Sequence, residues 1–333
     1  MPLKKRIAIT MPEWSFQVAD CVRRACWAEE RGFDDVWWGD FGAPDALTTT
    51  AFIAARTERI RLGVGVVPVY TRTPALIAST ANALAQMLPG RFVLGLGSSS
   101  HTMVEGWHGV ALEKPLSRVR DTAVMVRSML AGERSAFDFE ALKSRGYTQP
   151  PLEQAPPIYI AGLRPRMVEM AAEVGDGVVF NLWPRAALPK MMEHVRVGAE
   201  RAGKDVAELE IVNRHQVCVT DEPEVARQEF RQQFAPYYAT PVYNNFLAWA
   251  GYEGAAETIT EGWAQRDRAK TTGALDDALV DEIAIIGTAE ECHERIREAA
   301  EGGIHTHIIA SLSQDPERVN ATFEAFAPDR FSF

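Results

Sequence analysis

Basic residues are the scarcer charge in this 333-residue chain: 35 Lys and Arg stand against 45 Asp and Glu, for a net charge of -10. Proteins that hold nucleic acid or anionic lipid by counterion release need a basic stripe, so the balance argues against both. The one dense basic cluster, Lys4, Lys5 and Arg6, is expected to be a solvated end, because no apolar run of signal-peptide length follows it. No stretch approaches the ~18 uninterrupted apolar residues that a membrane helix requires. A cytoplasmic protein with no membrane and no nucleic-acid partner is expected.

Cysteine is also sparse. Cys21, Cys26, Cys218 and Cys292 show no CxxC spacing, so they read as structural thiols of a reducing compartment. Among seven histidines, His305 and His307 would share a face of a strand, but no Cys or carboxylate cluster accompanies them and no metal site is expected. No GxGxxG joins a first strand to a first helix, which leaves a dinucleotide-binding Rossmann half without support. Repeats, low-complexity tracts and long Pro/Ser linkers are missing too.

What the chain does contain is alternation. Short β-branched runs at Ile7 to Met11, Val36 to Trp38, Ile60 to Val67, Phe92 to Leu96, Ile158 to Ala161, Gly177 to Phe180, Glu210 to Val219 and Thr306 to Ala310 predict strands. Helical patterns separate most of them, from Phe16 to Arg31, Ala46 to Arg56, Pro74 to Met87, Leu116 to Leu130, Arg166 to Val174 and Ala187 to Ala202, with a last one from Pro316 to Phe326. Apolar strands joined by helical crossovers build a parallel sheet covered by helices. Eight such units fit a closed (β/α)8 TIM barrel better than an open sheet. The chain therefore reads as one α/β barrel domain over 1–333, with 132–157 and 222–281 as insertions above its C-terminal face.

In such a barrel the loops after the strands carry the chemistry. They hold Glu13 and Trp14, then Gly39, Asp40 and Phe41, then Val66 to Arg72, Gly97 to His101, Gly162 to Arg164 and Asn181 to Arg185, while Arg214 and His215 lie in the seventh strand. Only Glu13 and Asp40 form a carboxylate pair, too few ligands for a metal hydrolase and a weak basis for a glycosidase. An aromatic, carboxylate-poor rim suits a flat ring ligand instead. In LGLGSSSH, Gly97 permits a tight turn, and the hydroxyls and N–H groups of Ser98, Ser99 and Ser100 can face an anion. In IYIAGLRPRM, Gly162 admits a ligand to the backbone, and Leu163 and Arg164 offer amides and a guanidinium at a helix N-terminus.

The runs IRLGVGVVPVYTRTPALIASTANALAQMLPGRFVLGLG and PPIYIAGLRPRMVEMAAEVGDGVVFN resemble the luciferase-like superfamily of flavin and deazaflavin enzymes. The chain is most similar to its coenzyme F420-dependent branch, which includes methylenetetrahydromethanopterin reductase and F420-dependent glucose-6-phosphate dehydrogenase. The resemblance runs from about residue 7 to 217 and resumes weakly near Ile285 to Ala310. It implies a homodimer and a non-proline cis peptide at Gly65-Val66 against the back of the deazaflavin ring. Asp40, Gly65, Val66, Val67, Ser98, Ser99, Ser100, Ala161, Gly162, Leu163 and Arg164 are the cofactor-binding residues it implies. Hydride transfer between the deazaflavin C5 and a small organic substrate is the implied activity.

Where the sugar-phosphate dehydrogenase has its catalytic His, this chain has Phe41; its Trp is replaced by Asp45 and its loop Glu by Ser100. Thr10 stands where the methanopterin reductase has a Glu. Glu13, Asp40, His101 and His108 are the remaining proton-donor candidates, with His101 preferred and Glu13 and Asp40 retained beside it; as a structural residue, Asp40 would cap a strand end. Trp14, Trp38, Phe41, Tyr70, Trp107 and Trp183 are expected to wall the substrate pocket, joined by Phe180. The segment with Tyr237, Tyr238, Tyr243, Asn244 and Asn245 is expected to fold over the mouth as a lid. FMN in a luciferase-like monooxygenase is the alternative cofactor reading, and a non-catalytic cofactor-binding barrel is a further one.

Overall fold

The structure, a computed structural model, describes residues 3–11 and 17–333. Its strands are β1 (Arg6–Thr10), β2 (Asp35–Trp38), β3 (Arg61–Pro68), β4 (Phe92–Gly97), β5 (Ile158–Ala161), β6 (Gly177–Asn181), β7 (Glu210–Val219) and β8 (Thr306–Ser311). Each pairs in parallel with the next, and β8 with β1, so the eight close a barrel in which sequence neighbours are spatial neighbours. A ninth strand, Ala284–Gly287, was not foreseen from sequence. β6 pairs with β7 only as far as Arg214, and the ninth strand takes the edge that β6 leaves, from Gln216 to Val219.

Alternation along the strands sorts side chains between the interior and the helix layer. Ala8, Trp37, Val93, Tyr159, Val179, Val212 and Ile308 meet inside the barrel. On β3 the matching position is Gly63, where a Cβ would stand 2.2 Å from the Trp37 ring. Below this layer Arg61 closes the strand-entry end, bonding Asp35, Glu210 and Thr306. Burial alone would raise the Glu210 carboxyl; the Arg61 guanidinium, helped by Thr306 and Tyr159 hydroxyls, outweighs that and holds it down at about 2. The interior is packed, so ligands can enter only at the opposite end.

The helices α1 (Val18–Arg31), α2 (Ala46–Ala54), α3 (Pro74–Met87), α4 (Pro115–Leu130), α5 (Pro165–Val174) and α6 (Leu188–Arg201) follow the first six strands. Their ends obey local chemistry. Gly32 stops α1 at φ 88, Asp45 caps α2 by accepting from Thr48 N at 2.7 Å, and Thr73 precedes Pro74 at the start of α3. The segment 222–281 forms α7 (Pro223–Tyr238), α8 (Pro241–Trp249), α9 (Glu253–Gln265), α10 (Arg268–Gly273) and α11 (Asp277–Ile283). Of these, α7, α8, α9 and α11 share a second core with Leu182 and Leu312, which follow β6 and β8. Two helices, α12 (Ala289–Glu301) and α13 (Pro316–Ala325), complete the coat. Among the described residues no helix is long and apolar enough to cross a membrane.

Two expectations are corrected here. The segment 132–157 flanks the barrel rather than covering its mouth: Pro150 O accepts from Asn82, Leu152 N donates to Leu130 O, and a short hairpin (Ala136–Asp138 with Lys143–Arg145) extends until Glu140 meets Lys114. The connection starts and ends at the strand-entry end, as any link from helix to strand must, and its hairpin runs along the outside toward the start of α4. The basic cluster is not a solvated end either. Lys5 Nζ lies 2.6 Å from the carbonyls of Ala300 and Ile304, where a cation suits the end of α12, and Arg6 pairs with buried Asp35 at 2.9 Å.

Candidate active site

The floor of the mouth is built from missing side chains. The peptide between Gly65 and Val66 is cis, and the β3–β4 register shifts between Val64 and Val67. A Cβ on Gly95 would lie 2.2 Å from the Val64 carbonyl, and one on Gly97 would lie 2.5 Å from Val66 Cγ2. Glycine at both positions therefore lets β3 swell toward β4 and present partly exposed Gly65 and Val66 to the mouth. The result is a smooth apolar shelf.

Beside the shelf stand two amide-rich loops. After β4, Ser99 adopts φ 63, and a π-helical turn, Thr102–Trp107, follows. Among the described residues no acceptor takes the N–H of Ser99, Ser100 or His101. After β5, Gly162 packs closely on α5, where a Cβ would stand 3.1 Å from Val168 backbone. The N–H groups of Leu163, Arg164 and Arg166 at the start of α5 are likewise without acceptors among the described residues, and the Arg164 side chain is exposed and makes no ion pair there. Two adjacent strands thus each end in a loop with free N–H donors, the kind of group that holds a phosphate.

On the other flank Asp40 is buried and fully engaged. Its Oδ1 accepts from Ala46 N at 3.2 Å, its Oδ2 pairs with Arg72, and Arg72 also pairs with Asp45. The Asp45 carboxyl is lowered because Thr48 and Arg72 outweigh the effect of its burial. Phe41 folds its ring back over Gly39, and Trp107 lies near Gly42. These two aromatics are 57% and 59% exposed, a wasteful arrangement unless something flat covers them.

The model of the luciferase-like monooxygenase family matches residues 4–306. The chain belongs to that family. Among curated relatives, 5,10-methylenetetrahydromethanopterin reductase of Methanolobus tindarius is 29% identical over 298 residues, covering 88% of this chain and 90% of its own. F420-dependent glucose-6-phosphate dehydrogenase of Rhodococcus erythropolis is 24% identical, covering 93% and 92%. The solved coenzyme F420-dependent tetrahydromethanopterin reductase of Methanopyrus kandleri superposes with a TM-score of 0.81 at 18% identity, covering 98% of both chains.

Within this luciferase-like barrel several expected site residues turn out to face elsewhere. Trp38 is one position out of phase with inward Trp37; it packs outward and donates to Ala46 O at 3.3 Å. Trp183 lies in the outer core with Phe180 and donates to Asn213 at 2.7 Å. Tyr70 is buried under Arg118, its hydroxyl on the Glu113 carbonyl, and Val67 points into the helix layer. His101 is exposed and bonds Glu105 at 3.1 Å, and the Glu105 carboxyl is lowered chiefly by the Leu112 N–H and then by His101. Thr10 is buried and gives its hydroxyl proton to Met11 O. Glu13 and Trp14 lie outside the described residues. His305 accepts from Ile211 N, while His307 faces His215.

Sequence reading placed Asn181 and Arg214 at the rim and Tyr243 in the lid but did not bring them together with Gln216. Asn181 ends β6 two residues after inward Val179, and Arg214 and Gln216 continue the inward series of β7 begun by Glu210 and Val212. Gln216 Nε2 approaches Asn181 Oδ1 at 3.5 Å, and Asn181 Nδ2 donates to the Tyr243 hydroxyl at 3.3 Å. Tyr243 comes from α8, and Tyr238, at the end of α7, donates to Leu182 O at 2.9 Å. Period-two phasing of β6 and β7 would have found Asn181 and Gln216.

Proposed function

We propose that the chain is a coenzyme F420-dependent oxidoreductase that moves a hydride between the deazaflavin C5 and a small organic substrate. The observation that carries this reading is the shelf at Gly65 and Val66, made by glycines at 95 and 97 where a methyl group would collide with β3. A flat tricycle needs such a surface, and the free amides beside it suit the phosphate of the same ligand. Two of the three relatives described above are named for F420.

In this reading Gly65, Val66, Gly97 and Ala161 would hold the ring. Ser98, Ser99, Ser100, Gly162, Leu163 and Arg164 would take the phosphate, with Arg164 reaching the acidic tail. Asp40 positions the rim through Arg72 and Ala46. Phe41 and Trp107 cover the open face, and α7 and α8 exclude water as a roof. When bound, the deazaflavin supplies or accepts the hydride; the protein sets orientation and dryness. The reading extends to a cytoplasmic homodimer, as the family resemblance implies.

Anaerobic incubation with reduced F420 and a panel of enones, imines and ketones tests this activity. Re-formation of the oxidised deazaflavin chromophore, lost when Ser98 and Arg164 are both replaced by Ala, is the expected result. Absence of turnover in either direction with every substrate would favour a non-catalytic barrel, and oxygen consumption with reduced FMN would favour a monooxygenase.

A further inference from the structure

Resting on that reading, we propose that Tyr243 is the proton donor of the reaction and that the substrate is a carbonyl compound whose oxygen sits against its hydroxyl. Phe41, Ser100 and Thr10 stand at the positions where the resemblance would imply a proton donor, and none of the three carries an ordinary acid. Asp40 has both oxygens engaged, and His101 is exposed and turned to Glu105. A further hydroxyl donor stands on the element above β6.

Tyr243 has the required geometry. Gln216 Nε2 faces Asn181 Oδ1, which turns Asn181 Nδ2 toward the Tyr243 oxygen. The phenol therefore accepts from Asn181, and among the described residues nothing accepts its O–H. Tyr237 and Tyr238 hold the ring edge-on, each with centroids 6.0 Å away. Burial raises the phenol above its ordinary range, so it carries its proton at neutral pH. Asn181 fixes the oxygen at the inward end of β6, and Arg214 lies near enough to act on the phenol electrostatically.

In the reduction, the carbonyl carbon of a ketone, or the β-carbon of an enone, gains the hydride from the reduced deazaflavin. The π pair moves onto oxygen, the Tyr243 O–H breaks as the new O–H forms, and the phenolate takes a proton from water. The product is an alcohol or an enol, and the reverse sequence oxidises an alcohol.

The test uses the whole chain, wild type and Tyr243→Phe, which keeps the ring and its packing. Isobutyramide, an unreactive carbonyl probe, is titrated into cofactor-free protein, and reduced F420 is then mixed in single turnover with a panel of ketones and enones. The proposal expects Tyr243→Phe to bind isobutyramide about fivefold more weakly, to keep F420 affinity within about twofold, and to slow hydride transfer about 100-fold. Unchanged amide binding and rate in a variant that still binds F420 would overturn it, as would turnover of no carbonyl by a wild-type protein that binds F420. A wild type that ignores F420 but loses isobutyramide on Tyr243→Phe would overturn the cofactor reading and the redox step while supporting the carbonyl-oxygen site.

Discussion

At residue scale the sharpest feature is what Gly97 lacks. Its Cβ would press on the Val66 side chain at 2.5 Å, whereas one on Gly95 would strike the Val64 carbonyl at 2.2 Å. A side chain yields more readily than backbone. Gly97→Ala should fold, at a cost of about 1–3 kcal/mol from overpacking, while weakening cofactor binding about tenfold by displacing Val66 from the shelf. Thermal melting and a binding titration of the same variant check both effects, and unaltered affinity would show that Val66 does not bear on the ligand. The positions of Ser98 to Ser100 and of Gly162 to Arg164, in the loops after β4 and β5, were legible because turns and helix starts announce themselves in sequence. Trp38, Trp183, Tyr70 and Val67 were misplaced because aromatic or apolar character does not tell which face of a strand is inward. That phase is set by partners far away, such as Tyr159 stacked on Trp37.

At element scale, strand and helix limits were readable to within a few residues because apolar runs and capping residues coincide. The ninth strand was missed for a physical reason: Ala284–Gly287 has four residues, follows α11 with no turn, and exists only because β6 leaves an edge of β7 vacant. The pairing of β7 with β8 also buries two imidazoles on their outer face. His215 Nε2 lies 3.1 Å from His307 Nδ1, with rings stacked at 5.2 Å, and Asn213 and Trp183 extend the chain of contacts. Burial pushes His215 down to about 3 and His307 well below its ordinary value. Both folded values are depressed, so their contribution to stability is present above the unfolded value near 6.5 and is lost as pH falls below it. Denaturant unfolding should show stability declining from about pH 6.5 downward, by up to roughly 1.4 kcal/mol per pH unit for each imidazole. Glu210 adds to the loss below its ordinary range near 4.5, down to about 2. A His307→Leu variant should show a shallower slope between pH 6 and 5, with His215 and the likewise lowered His305 keeping the rest; an unaltered slope would mean that His307 is not among the groups that titrate.

At the scale of the whole molecule, the barrel separates two jobs. The Arg61 cluster and the packed interior layer close one end, and the swollen β3, the two amide-rich loops and the helices of 222–281 furnish the other. The barrel and the places of the two amide-rich loops after β4 and β5 were legible in the sequence, whereas the contact that joins Asn181, Gln216 and Tyr243 was not. It joins residues 62 positions apart, brought together only when α8 settles on β6. The central claim is that this end is shaped for a deazaflavin. The most direct measurement is a fluorescence-quenching titration of the purified protein with F420 and, separately, with FMN. The account predicts micromolar or tighter binding of F420 and FMN binding weaker by about tenfold or more; tighter binding of FMN, or binding of neither, would contradict it.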